Sequence, residues 1–263
     1  MRDVCDGLVI KDMPYGENDR LLTVLTADNG QIMLTAKGAR SLKSKTMPLC
    51  RLFVYANFEY YEKNGRRWLS SGSVNEGFYG ISEDIQGFSL ASYIVQLAAE
   101  ISGEGVCARD VLRMTLNALY AIEKKIRPYD QIKSVYEIFA ACESGVAPAL
   151  DECRSCGAAE AESWWLDVMN GSVCCAKCFS DKSAGAPIPE FDRLMTHNIF
   201  VPLDLTALTA WRYVSSCDAK KVLSFEIKDA ESMRLLSGAT EKYVTNHLER
   251  GFDTLDFYHA VKE

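Results

Sequence analysis

Two spacings of apolar residues divide the chain. Up to about residue 75 they fall in short runs broken by turn signals. Val4, Leu8 and Ile10 predict a first strand that ends at Pro14-Tyr15-Gly16. Leu21, Leu22, Val24 and Leu25 predict a second, and Ile32, Met33 and Leu34 a third. Asp28-Asn29-Gly30 lies between these two and supplies the positive φ that a tight hairpin needs. The run 52–61, rich in aromatics, predicts a fourth strand, and Asn64-Gly65 turns it into a fifth over Trp68–Val74. Five strands in so short a stretch predict a Greek-key barrel, of OB or SH3-like type; periodicity alone does not separate the two. Strand alternation places about half of Tyr15, Tyr55, Phe58, Tyr60 and Tyr61 in the barrel core, leaving the others for base stacking.

From Ser82 the spacing becomes helical. Ser82-Glu83-Asp84 reads as an N-cap with first-turn acids, followed by Ile85, Phe88, Ala91, Val95, Ala98 and Ile101 at three- and four-residue intervals. Gly103 and Gly105 end that helix. A second carries Val111, Leu112, Leu116, Leu119, Ile122 and Ile126 and stops before Pro128. A third carries Ile132, Val135, Tyr136, Phe139 and Cys142 and stops at Ser144-Gly145. Such stripes predict helices packed on helices. After a linker at 180–189 the spacing is helical again, beginning at Phe191, Leu194 and Met195 and continuing through Leu205, Leu208, Trp211 and Val214 to the run from Met233 to Leu248. His197, His247 and His259 stand alone, with no thiol or carboxylate pattern to make them ligands.

Between the helical stretches lies DECRSCGAAEAESWWLDVMNGSVCCAKC. Cys153-x2-Cys156 and Cys175-x2-Cys178 have the spacing of a four-thiolate zinc site, with a hairpin about Asn170-Gly171 returning the second pair to the first. This is a zinc-ribbon layout. Cys174 leaves an alternative open: as a ligand with Cys178 it would turn its neighbour Cys175 away from the metal, so Cys175 is preferred. Four thiolates leave no open coordination position, which predicts one structural Zn2+ and disfavours a zinc hydrolase. A redox role for the pairs would need a thioredoxin-like βαβ context, and none is visible. Cys5, Cys50, Cys107, Cys142 and Cys217 read as small buried hydrophobes.

Charge adds one thing that the spacings do not. The net charge is −7, but residues 1–80 hold 11 Lys+Arg against 9 Asp+Glu, while the remainder holds 18 against 27. The basic excess is concentrated after the third strand, where Lys37, Arg40, Lys43, Lys45 and Arg51 arrive with no acid anywhere from Asn29 to Phe58. A cationic loop leaving a barrel suits phosphate tracking, and Arg66-Arg67 either extends that face or solvates its hairpin. Lys124, Lys125, Arg127 and Lys133 gather where the second and third helices meet, either neutralising a helix end or forming a cationic patch. The first residues do not read as a signal peptide, and no stretch approaches the ~18 apolar residues that span a bilayer, so a soluble cytoplasmic protein without membrane contact is expected. No nucleophile elbow, P-loop, dinucleotide fingerprint or paired-carboxylate motif appears, so no enzymatic activity is expected.

The stretch LVIKDMPYGENDRLLTVLTADNGQIMLTAKGAR resembles the start of the RecO family of bacterial recombination mediators: a strand, a P-Y-G-E turn, a second strand, an L-T-x-x-x-G turn and an A-K-G-A-R loop. The likeness recurs at Gly171, Ser172, Cys175 and Cys178, where Ser172 departs from a second glycine, and again in the closing EKYVTNHLERGFDTLDF. It implies an α+β chain: a five-stranded OB-fold barrel over 1–80, helices over 81–150, an inserted zinc ribbon over 151–182, and C-terminal helices over 183–263 that complete the helical body. It also implies a mediator of DNA repair in the bacterial nucleoid. Such a protein binds single- and double-stranded DNA, anneals complementary strands, acts with RecR, and engages the acidic tail of the single-stranded-DNA-binding protein to help load the recombinase. The contrasting expectation is a protein-interaction adaptor, in which the barrel holds protein and the zinc is purely structural.

Overall fold

The computed structural model describes residues 2–41, 43–183 and 199–262. It divides into two compact units, residues 1–126 with 252–263, and residues 127–251. The helix start expected at Phe191, Leu194 and Met195, together with His197, lies outside the described residues.

The first unit is built on a closed barrel. Its strands are β1 (Arg2–Tyr15), β2 (Asp19–Thr26), β3 (Gly30–Ala36), β4 (Tyr55–Lys63) and β5 (Arg66–Glu76). They neighbour one another in the order β1-β2-β3-β5-β4, and β4 closes back on β1 from Arg2↔Tyr61 to Leu8↔Tyr55. This is OB-type order, which resolves the choice that spacing left open. A register shift between Val9 and Lys11 lets the long β1 serve both β2 and β4. Val9, Leu22, Val24, Ile32, Leu34, Ala56, Phe58 and Leu69 fill the barrel. Each large side chain among them contributes about 1.5–3 kcal/mol by leaving water.

The weakest seam runs between β3 and β5, which pair in parallel only at Thr35↔Trp68. At the start of β3 the chain after the first helix lies along the barrel: the Gln31 N–H donates to the Gly103 carbonyl at 3.1 Å and the Gly105 N–H to the Asn29 carbonyl at 2.9 Å. Gly30 makes this approach possible, since its φ is +58° and a Cβ there would lie 1.9 Å from the Gly103 oxygen. Helices α1 (Ile85–Ile101) and α2 (Arg109–Glu123) follow the barrel. The cap of α1 is Asp84, whose carboxylate accepts from the Gln86 N–H at 3.0 Å; Ser82 lies instead in a 3-10 turn over Tyr79–Glu83.

The second unit joins helix α3 (Tyr129–Glu143) to a four-stranded sheet in the order β6-β8-β7-β9, made of Ala149–Cys153, Ser172–Cys175, Ser163–Asp167 and Phe200–Asp204. The short helix α4 (Ala176–Ser183) leaves β8, and α5 (Leu205–Ser216) and α6 (Ala230–His247) follow β9; α7 (Asp253–Ala260) returns to the first unit. Two expectations need correcting. Residues 180–183 end a helix rather than open a linker, and Phe200–Asp204 is a strand inside a stretch expected to be helical. The strand arises because β9 pairs with the free side of β7, Trp164↔Leu203 and Leu166↔Val201 among its partners, with Leu203 turned into the core.

Lys133 needs the third correction. Expected on a surface patch, it is fully buried between α3 and α6. Its ammonium lies 3.0 Å from Glu137 Oε1 and 2.8 Å from Glu241 Oε2, and it donates to the Ser237 carbonyl at 3.3 Å. An i,i+4 partner on α3 and a facing acid on α6 draw the charge inward, and burial costs less once it is paired on both sides. Cys107, expected to be buried, is exposed.

Candidate metal centre and nucleic-acid interface

The ribbon hairpin is pinned at its turn. Asp167, almost wholly buried, accepts from the Asn170 N–H at 3.2 Å and from its side-chain amide at 2.9 Å, and pairs with Arg154 at 3.0 Å. Gly171 turns with φ +56° where a Cβ would meet the Tyr243 hydroxyl at 2.7 Å. The hairpin thereby returns Cys175, at the end of β8, to Cys153, at the end of β6; Cys178 follows one turn into α4. Cys153, Cys156, Cys175 and Cys178 bring their sulfurs within 4.8 Å of one another. Four sulfurs bound at ~2.3 Å round a tetrahedral zinc sit roughly 3.8 Å apart, and Cys156 Sγ lies 3.8 Å from Cys175 Sγ. The four residues therefore fit a metal ion. Cys174 is buried on the other side of the strand, with its sulfur 3.9 Å from Ser155 Oγ. Burial pushes the Cys153 thiol up, but backbone N–H groups of Cys175, Cys156 and Ser155 point at it and bring it down to about 6. Cys178 is raised, first by hydrogen bonds to the Cys156 and Cys175 thiols.

The loop after β3 and the β4–β5 turn bring basic residues to one end of the barrel. The loop after β3 folds back on the β1–β2 turn: the Gly38 N–H donates to Asp19 Oδ1 at 2.8 Å, the Arg40 N–H to the Asn18 carbonyl at 3.0 Å, and the Arg40 guanidinium to the Glu17 carbonyl at 2.9 Å. Lys37, Arg40, Lys43, Lys45 and Arg51 are all exposed. Arg51 lies over the Tyr79 ring, 5.0 Å from its centroid. Whereas Arg51 and Tyr79 lie beyond the other end of β5, the β4–β5 turn brings Arg66 beside the β1–β2 turn, where it donates to the Tyr15 hydroxyl at 3.0 Å. Beside it opens a groove of about 310 Å³ lined by Tyr15, Leu21, Met33, Thr35, Arg66, Arg67 and Glu104. Spacing missed this groove. Met33, read as part of an apolar strand, is 55% exposed on its wall, and Glu104 comes from outside the barrel sequence altogether. Of the strand aromatics, Phe58 and Tyr60 point into the core, and Tyr15 and Tyr61 are exposed.

The four cations near the second and third helices are not one patch. Lys124 and Lys125 are exposed and pair with Glu123 at 2.9 Å and Asp84 at 3.4 Å. Arg127 donates to the Phe225 carbonyl at 2.7 Å within the second unit, and Lys133 is buried as described. Exposed Tyr79, Ile85 and Tyr120 lie on the elements that carry Lys124, Lys125 and their partners.

An OB-type barrel with a cation-rimmed groove, followed by helices that carry an inserted four-cysteine module, defines a class of two-part barrel proteins with a metal-binding ribbon. The family model described as "Recombination protein O N terminal" matches residues 1–78, and "Recombination protein O C terminal" matches residues 82–191. A protein of Acetivibrio thermocellus named "DNA repair protein RecO" is 27% identical over 95% of this chain and 94% of its own length. Relatives of the same name from Thermoanaerobacter sp. and Caldicellulosiruptor saccharolyticus are 27% and 22% identical, each over 97% or more of both chains. The chain belongs to the RecO family of DNA repair proteins. Among the described residues no helix is long and apolar enough to cross a membrane.

Proposed function

We propose that the chain is a non-enzymatic recombination mediator whose barrel grips single- and double-stranded DNA through Lys37, Arg40, Lys43, Lys45, Arg51, Arg66 and Arg67. The observation that carries this reading is the convergence of the basic loop, the β1–β2 turn and the β4–β5 turn at one end of the barrel. Phosphate contacts position a strand without reading its sequence, so binding is sequence-tolerant and salt-sensitive. Two strands held by their phosphates keep their base edges available, which suits annealing of complementary DNA. In this reading the cysteines hold one structural zinc, which closes the ribbon and supplies no catalysis.

Partners follow from the family. The chain acts with RecR to load the recombinase on DNA covered by the single-stranded-DNA-binding protein. The acidic tail of that protein docks where Lys124 and Lys125 adjoin exposed Tyr79, Ile85 and Tyr120, since such a tail needs cations and an apolar surface together. The test is annealing of complementary oligonucleotides by the full chain and by the Arg40→Ala/Lys43→Ala variant. The variant should anneal more slowly with its metal content unchanged; equal rates overturn the loop's assignment.

A further inference from the structure

The groove beside the basic loop carries chemistry that phosphate tracking does not use. Its walls are two exposed apolar surfaces, the Tyr15 ring and the Met33 side chain, with Leu21 and Thr35 between them. Strand positions on a barrel exterior are ordinarily polar, and a 55% exposed methionine there leaves apolar surface in water. At about 310 Å³ the groove is at the small end of ligand clefts. Arg66 donates to the Tyr15 hydroxyl at 3.0 Å and so restrains the ring at the groove.

The one acid in the groove is Glu104. It is mounted on the segment that runs beside the start of β3, where Gly30 and Glu104 pair as an isolated bridge and backbone bonds to Gln31 and Asn29 flank it. Gln31 adds a side-chain bond to the Ala99 carbonyl at 2.6 Å and another to the Ser102 carbonyl. From this fixed mount the Glu104 carboxylate, 64% exposed, reaches Arg67 Nη1 at 3.4 Å. An anion thus already sits on Arg67 at the edge of an apolar slot.

We infer that the groove is a single-nucleotide site: one unstacked base of a single strand lies against Tyr15 and Met33, and its phosphate takes Arg67 from Glu104. The occupant is set by complementarity. A nucleotide is a flat apolar face joined to an anion, and the groove offers a flat apolar slot joined to a cation that holds a stand-in carboxylate. A base paired in a duplex cannot enter, so this site distinguishes single from double strands, which the phosphate contacts alone do not. The inference rests on the reading of the barrel as the DNA-binding unit and adds a strand-type preference to it.

The test uses the full chain, a thymidylate oligonucleotide and a blunt duplex of mixed sequence, with binding followed by fluorescence anisotropy. Tyr15→Ala/Met33→Ala should weaken single-strand binding roughly tenfold, from loss of one stacked base, and change duplex binding less than about twofold. Both side chains are partly exposed, so thermal unfolding should be unchanged and serves as the folding control. Glu104→Gln should tighten single-strand binding a few-fold with its salt slope nearly unchanged, because the phosphate contacts Arg67 in both chains and in the variant no longer has to displace an acid. Equal losses on single strand and duplex, or none on either, overturn the nucleotide site. Weaker binding by Glu104→Gln overturns the stand-in role and makes Glu104 a contact to the base. Arg40→Ala/Lys43→Ala, run alongside, separates the two ideas: if it weakens both DNA forms while the groove variant weakens neither, the barrel still binds DNA and only the groove assignment fails.

Discussion

Lys133→Met should be among the most damaging single changes in the second unit. The substitution keeps most of the side-chain volume and removes the ammonium that lies between Glu137 and Glu241. Glu137 is fully buried, so its carboxylate keeps the Thr240 hydroxyl at 2.6 Å but loses the ammonium that lay 3.0 Å away. Breaking a buried pair from one side costs about 3–5 kcal/mol, because the remaining charge is stranded in a poor solvent. That is more than a hundredfold in the ratio of folded to unfolded chains. Urea unfolding followed by tryptophan emission is a suitable assay, since Trp164, Trp165 and Trp211 report on the second unit and Trp68 alone on the first. Lys133→Met/Glu137→Leu should recover most of the loss, because Thr240 also reaches the Ser237 carbonyl at 3.3 Å and the site becomes apolar. The pH dependence has a definite sign. Burial lowers the Lys133 pKa, but Glu137 and Glu241 outweigh it and the net direction is up. Its contribution is therefore fully present below the ordinary lysine value of 10.5 and is lost as pH rises above it. A loss below about 1 kcal/mol in Lys133→Met would refute the reasoning, since a cation that is cheap to remove is solvated rather than stranded.

Three further outcomes follow from the ribbon and its neighbours. Cys175→Ser should abolish the bound zinc measured on purified protein while Cys174→Ser retains it, because only Cys175 shares the four-sulfur cluster; the reverse pattern would move the ligand to Cys174. Gly171→Ala should destabilise the second unit by about 2 kcal/mol in urea, because a Cβ at positive φ also meets the Tyr243 hydroxyl; unchanged unfolding would mean that the turn relaxes freely. Asp204→Ala should cost about 1 kcal/mol through loss of the α5 cap, where its carboxylate accepts from the Ala207 N–H at 2.7 Å, and a thermal melt identical to that of the parent would contradict the capping role.

The barrel was legible because its strands are separated by turns with strong local chemistry, such as Asp28-Asn29-Gly30 and Asn64-Gly65, and its apolar residues fall in short runs. The cysteine cluster was legible because metal geometry fixes ligand spacing in the chain itself. What spacing hid was contact between distant segments. The Phe200–Asp204 strand exists because β7 offers it an edge, and five residues ahead of a helix carry no periodicity of their own. Lys133 reads as a surface cation until α6 brings Glu241 to it from over a hundred residues away. Glu104 looks like a loop acid between two glycines, and only the hydrogen bonds that lay its segment along β3 carry it to Arg67. Tyr15 and Met33 carry no signal of exposure, because strand alternation states that faces differ without saying which of them is covered.

The central claim is that the loop after β3 holds the DNA backbone. It is tested most directly by the affinity of the full chain for a single-stranded oligonucleotide across a salt series, compared with Arg40→Ala/Lys43→Ala. Both residues are exposed, so the variant should remain folded. Each phosphate contact on a single strand contributes about 0.7 to the slope of log affinity against log salt, so losing two should flatten it by about 1.4, equally for all base compositions. An unchanged slope with unchanged affinity would contradict the claim.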